Sequence, residues 1–199
     1  GGPKFSIDSV VLAGFSHIRE GEDVLDLGTG TGVIPAMLKA HFHPCFIAGI
    51  EINENLRECA AATAERNGLD PGGMILGDIR DQKVLQGRKF GVVVSNPPFF
   101  ETHSGRLSVR EDRRLTRHRE ALSLEELFRA GARFMKEKGR MNFILPFSES
   151  EKAVNAMNEA GLHPRLARAV CDSPAGEPKR VLMQAVKEKI PFIWLPPLI

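Results

Sequence analysis

Tyrosine is absent from these 199 residues, so a ring that stacks on a flat ligand has to come from phenylalanine. Cysteine is scarce. Cys45, Cys59 and Cys171 have neither CxxC spacing nor a histidine pattern beside them, which argues against zinc and supplies no disulfide framework. A reducing cytoplasm is the simplest setting. The six histidines show no metal-like spacing either, and His41 and His43 read as a helix-end pair, so no metal is expected. No run of about 18 apolar residues occurs, and Gly1-Gly2-Pro3-Lys4 does not read as a signal peptide; no membrane partner is expected. The chain does not begin with Met, which leaves its termini open. A strong charge of one sign is also missing: the formal net charge is +2, so any affinity for nucleic acid has to come from where the charges sit.

What is present is ordinary soluble-protein composition, with 42% hydrophobic and 26% charged residues. The length suits a single domain over 1–199 that buries a sheet between helix layers, with 1–20 as a helical lead-in. Seven strands are expected, at Asp23–Leu27, Phe46–Ile52, Met74–Ile79, Phe90–Ser95, Arg140–Pro146, Arg165–Val170 and Arg180–Lys187. Helices are expected near Ser9–Ile18, Val33–Phe42, Glu54–Asn67, Leu124–Lys138 and Glu149–Ala160. This alternation predicts an α/β, doubly wound, seven-stranded and mainly parallel sheet. Ser123 with Glu126, and Ser148 with Glu151, have the capping-box form, and Gly68, Gly139 and Gly161 stand where helices need left-handed ends. Leu124, Leu127, Phe128, Gly131 and Met135 repeat at helical spacing, as a core-facing stripe does.

Asp26-Leu27-Gly28-Thr29-Gly30-Thr31-Gly32 closes the first strand and opens a helix. Glycines at alternate positions let the backbone turn sharply and approach a ligand. A dinucleotide fingerprint, GxGxxG, would need glycine where Val33 stands. Glu51 lies at the end of the second strand, where a carboxylate can accept from both hydroxyls of a ribose, and Asp78 ends the third. Carboxylates at three successive strand ends, Asp26, Glu51 and Asp78, suit a ligand that carries an ammonium or sulfonium group, a ribose and an adenine amine. S-adenosylmethionine has all three.

The fourth strand runs straight into Asn96-Pro97-Pro98-Phe99. Two prolines cannot continue a ladder, so the chain leaves the sheet in a stiff, preset path. An aromatic or amide nitrogen is a weak nucleophile because its lone pair is delocalised, and it needs orientation more than a strong base. The Asn96 side-chain oxygen and the Pro97 carbonyl can each accept one N–H, while Phe99 stacks on the flat substrate. Just beyond, Arg106, Arg110, Arg113, Arg114, Arg117 and Arg119 fall within a short stretch opposed only by Glu111 and Asp112. They could hold phosphates around a base turned out of its stack; the plainer reading is a solvated loop.

These segments resemble the small-domain amino-methyltransferases with an Asn-Pro-Pro-Phe/Tyr motif. Within that group the chain is similar to the bacterial family that methylates the exocyclic nitrogen of adenine in valine tRNA, next to the anticodon. Besides the glycine loop and Ser95–Phe100, the likeness covers Phe5–Ala13 and Pro196-Pro197-Leu198. It implies a Rossmann-like, class I fold with S-adenosyl-L-methionine as cofactor and tRNA as partner. Asp26, Gly28, Thr29, Gly30, Gly32, Glu51 and Ile52 would hold the methionine and ribose parts, Asp78 and Ile79 the adenine. Asn96 would adjoin the cofactor, and Asn96, Pro97, Pro98 and Phe99 would hold the target base. Guanine methylation on ribosomal RNA, methylation of a protein glutamine and a non-catalytic RNA-binding domain stay open as alternatives.

Overall fold

The computed structural model describes residues 6–97 and 122–199. Along the chain the elements are α1 (Ile7–Phe15), β1 (Asp23–Leu27), α2 (Val33–His41), β2 (Phe46–Glu51), α3 (Glu54–Arg66), β3 (Met74–Leu76), β4 (Phe90–Ser95), α4 (Leu124–Phe134), β5 (Met135–Pro146), α5 (Ser150–Glu159), β6 (His163–Cys171), β7 (Pro178–Val186) and β8 (Ile193–Trp194). The strands form one sheet in the order β3-β2-β1-β4-β5-β7-β6-β8. Its first five strands are mutually parallel, and β7 runs antiparallel between β5 and β6. The short link from Cys171 to Pro178 dictates that antiparallel pairing, because a parallel crossover needs a dozen or more residues. The described sheet has eight strands instead of the expected seven: Ile193 and Trp194 add a short parallel edge against Leu166 and Ala167.

Alternation along each strand feeds two apolar layers. Val93, Leu25 and Phe143 join Leu127, Phe128 and Met157 of α4 and α5 on one face. Val92, Val94 and Val24 join Leu12 and Leu38 of α1 and α2 on the other. At the start of β1, Arg140 of β5 donates to both oxygens of Glu22 at 2.7 and 2.6 Å and ties the loop after α1 to the sheet.

Several local expectations hold. Ser123 and Glu126 form their capping box, with Glu126 N–H donating to Ser123 Oγ at 3.2 Å and Ser123 N–H to Glu126 Oε2 at 3.0 Å. Gly68 and Gly161 have φ of +69° and +71°, as left-handed helix ends require. Others shift. α1 is Ile7–Phe15, starting two residues and ending three residues earlier than expected. The chain turns through Phe147–Glu149 before α5 begins at Ser150, so the Ser148 box does not form. Ser150 Oγ instead donates back to Phe147 O at 2.7 Å.

The largest difference is at the end of α4. The helix stops at Phe134, and the residues read as its last turn enter β5. Phe90 pairs with Met135 but Val92 with Arg140, so Lys136–Gly139 bulges out of the ladder. Gly139 is therefore no helix cap. A Cβ there would lie 2.5 Å from Met135 Cγ and 3.0 Å from Gly91 O, and bare backbone is what lets the bulge close.

Candidate functional site

The C-terminal ends of β1 to β4 share one edge of the sheet, which is where open α/β sheets bind ligands. Asp26 pairs with Gly49 on one side and Val94 on the other. Residues two positions further on, Gly28 and Asn96, therefore leave neighbouring strands at the same level. Ser95 Oγ donates to Leu27 O at 2.8 Å, pinning the end of β4 to that of β1.

The glycine loop turns back at once. The N–H groups of Gly28 and Thr29 both donate to Ile50 O at 3.0 Å, and Gly32 N–H donates to Thr29 O at 3.0 Å. Gly28, Gly30 and Gly32 have φ of +73°, +57° and +77°, a region that side chains disfavour. A Cβ at Gly28 or Gly30 would meet nothing within 4 Å, while one at Gly32 would lie 3.0 Å from Ala60 Cα. The first two thus border open space, and the third allows α2 to approach α3.

Glu51 organises this loop. Its Oε2 accepts from Gly30 N–H at 2.8 Å and its Oε1 from Asn53 N–H at 2.9 Å. A carboxylate fixed by two amides keeps free lone pairs for further donors. Beside it Ile52 and Leu76 are exposed, at 55% and 46%, and give the edge an apolar wall.

Asp26 is fully buried, and neither of its carboxylate oxygens has a hydrogen-bond partner among the described residues. Burial pushes its carboxyl up to about 7; the nearby Thr29 hydroxyl lowers it in part without a well-formed bond, and the Glu51 charge raises it. An unpaired buried carboxyl is costly, and a cationic group would satisfy it. Among the described residues none does. The ammonium of an amino-acid ligand fits this position, and the hydroxyls of a ribose fit Glu51.

Asp78 lies two residues beyond the end of β3, not in the strand. Arg80 holds it: Nε lies 2.9 and 2.8 Å from the two oxygens, and a terminal guanidinium nitrogen lies 2.6 Å from Oδ2. This pairing keeps the Asp78 carboxyl below its usual range. An adenine amine would have to share the carboxylate with Arg80. Ile79 is 7% exposed and packs in the core, so its side chain does not join the open edge.

Asn96 directly follows β4, its amide nitrogen donating to Ser9 Oγ at 3.1 Å and Ser6 Oγ at 3.4 Å. No described residue donates to its Oδ1. Pro97 is buried as the chain departs. Pro98, Phe99 and the six arginines Arg106, Arg110, Arg113, Arg114, Arg117 and Arg119 lie outside the described residues. Sequence reasoning missed three participants. Gly49 was legible in principle, since glycine inside a strand marks a close approach: a Cβ there would sit 2.7 Å from the Thr29 side chain. Ser6 and Ser9 gave no signal of their own.

Residues 7–160 match the family described as methyltransferase small domain. The chain belongs to this family. It is 30% identical over 185 residues to the tRNA1(Val) (adenine(37)-N6)-methyltransferase of Bacteroides thetaiotaomicron, covering 90% of this chain and 75% of that one. It is 34% identical over 165 residues to the enzyme of the same name from Porphyromonas gingivalis, covering 80% and 64%. Among solved structures, a predicted O-methyltransferase from Agrobacterium tumefaciens superimposes with a TM-score of 0.74 at 17% identity, covering 96% of this chain and 86% of that one. TrmN from Thermus thermophilus superimposes at 0.63 and 17% identity, covering 90% and 48%. The small-domain methyltransferase described here is thus a Rossmann-like enzyme dependent on S-adenosylmethionine, and the open glycine trough, the orphaned Asp26 and the amide-fixed Glu51 fit that cofactor.

Proposed function

We propose that this enzyme methylates the exocyclic N6 of an adenine in tRNA, in the cytoplasm. The observation that carries the reading is Asn96. It stands level with the glycine loop, its amide nitrogen is occupied by Ser9 and Ser6, and no described residue donates to its Oδ1.

Bound S-adenosylmethionine supplies an electrophilic methyl group on a sulfonium. Asp26 would face its ammonium, Glu51 its ribose hydroxyls, and Ile52 with Leu76 the flat face of its adenine. Asn96 Oδ1 would accept one N–H of the target amine and the Pro97 carbonyl the other, turning the nitrogen lone pair toward the methyl carbon; Phe99 would stack on the base. Orientation of this kind can supply a large part of a barrier's reduction without a strong base. The arginines from Arg106 to Arg119 would hold flanking phosphates. Adenine in tRNA is favoured over other amines because the named relatives modify it and the basic stretch suits RNA.

Nucleoside analysis of RNA treated with the pure enzyme tests this. N6-methyladenosine in tRNA is the expected product. Methylguanosine in ribosomal RNA, or methylation of a protein glutamine, would overturn the substrate while leaving the enzyme class in place.

A further inference from the structure

We propose that Ser9 is a positioning residue for the Asn96 amide, an inference that rests on the role given to Asn96 above. The two residues are 87 positions apart, yet Asn96 Nδ2 donates to Ser9 Oγ at 3.1 Å. Ser9 is 9% exposed in the first turn of α1. Ser6 stands at the N-cap of that helix with extended φ and ψ of −90° and 156°, but its hydroxyl accepts no backbone N–H there. It accepts the second Nδ2 hydrogen instead, at 3.4 Å. A preferred capping residue that forgoes its cap in favour of the active-site amide indicates what this end of the helix is arranged to hold.

The helix is fixed in turn. Arg180 Nε donates to Asp8 Oδ2 at 3.1 Å, and Arg180 sits opposite Pro146 at the end of β5, on the same sheet edge as Asn96. Leu12 and Ala13 bury the following turn. The serine hydroxyls are thus presented from a docked element to an amide that stands where β4 ends.

The chemical consequence follows from the two ends of an amide. Its oxygen and nitrogen have opposite hydrogen-bonding character. With both nitrogen hydrogens taken by serine oxygens, the oxygen is the end presented to a substrate amine. Without them the amide rotates, and its nitrogen would meet the substrate N–H donor to donor. The Ser9–Asn96 contact therefore selects the acceptor end before the substrate arrives, which is preorganisation in the sense that lowers barriers.

The test is single-turnover methylation of tRNA by Ser9→Ala, Ser9→Thr and Asn96→Ala enzymes, with cofactor affinity from calorimetry and folding from thermal melts. Ser9→Ala should lower the rate by about tenfold or more, with the tRNA KM and the cofactor Kd close to wild type, and Ser9→Thr should restore most of it. In an Asn96→Ala background, Ser9→Ala should have no further effect, because the two act as one unit. A merely structural Ser9 would add its loss to that of Asn96→Ala and would lower the melting temperature in step with the rate. An unchanged rate in Ser9→Ala, or additive losses, would overturn the inference. If Ser9→Ala does not fold, the exposed Ser6→Ala must show the same non-additive loss on a smaller scale, or the inference fails. Full turnover by Asn96→Ala would instead remove the underlying reading of Asn96.

Discussion

Replacing Asp26 by Asn should make the cofactor-free enzyme more stable at alkaline pH and less able to bind its cofactor. Asp26 is buried among the ends of β1, β2 and β4 without a partner among the described residues, and burial lifts its carboxyl from 3.8 to about 7. An acid whose folded-state value is raised binds its proton more tightly when folded, so stability falls as pH rises between the unfolded and folded values. Well below the unfolded value of 3.8 both states are protonated and the penalty vanishes; above about pH 7 it is nearly complete, at about 4 kcal/mol. Asp26→Asn removes the charge and nearly keeps the shape. Denaturant unfolding at several pH values, without cofactor, should show the variant gaining up to that amount at about pH 8 and only a small fraction of it at about pH 4. The cationic part of the cofactor should favour the ionised form, so calorimetry at pH 6.5 in buffers of different ionisation enthalpy should show proton release on binding by wild type and none by Asp26→Asn. A stability difference that does not change between pH 4 and 8, together with undiminished cofactor affinity, would refute the reasoning.

Glu51→Ala should weaken cofactor binding by about 1–3 kcal/mol, because it would remove the charge-assisted bonds proposed to the ribose and free the Gly30 amide it now holds; unchanged calorimetric affinity would place the ribose elsewhere. Gly49→Ala should destabilise the enzyme by about 1–3 kcal/mol in denaturant melts, since the new methyl would overlap the Thr29 side chain. Changing Arg113 and Arg114 to Ala should weaken tRNA binding and flatten its dependence on log salt by about one unit of slope per lost phosphate contact, while cofactor affinity barely moves. An unaltered salt slope would make that stretch a solvated loop.

The parts of the fold that the sequence announced are those fixed by local chemistry. The apolar runs of β1, β2 and β4, the Ser123–Glu126 box and the glycines at 68 and 161 need only a few neighbours to declare themselves. The end of α4 did not, because Met135 continues the helical stripe and Lys136, Glu137 and Lys138 are all good helix formers. Pairing with Phe90 and close passage past Gly91 overrode that preference. Asp78 reads as a strand end because Met74-Ile75-Leu76 and Ile79 suggest one strand through Met74–Ile79, whereas the ladder to β2 ends at Leu76. At the site, the glycine loop and Glu51 were legible as motifs. The orphaned state of Asp26 and the grip of Ser6 and Ser9 on Asn96 depend on packing and on contacts across nearly half the chain, which no spacing rule records.

The proposed function requires that Asn96 orients the accepting amine and does not merely shape the fold. Single-turnover methylation of tRNA by Asn96→Ala, at saturating cofactor and with folding checked by melting, tests it most directly. The rate should fall by about a hundredfold or more with cofactor affinity little changed, as for an interaction made in the transition state. Turnover near the wild-type rate in the folded variant would contradict it.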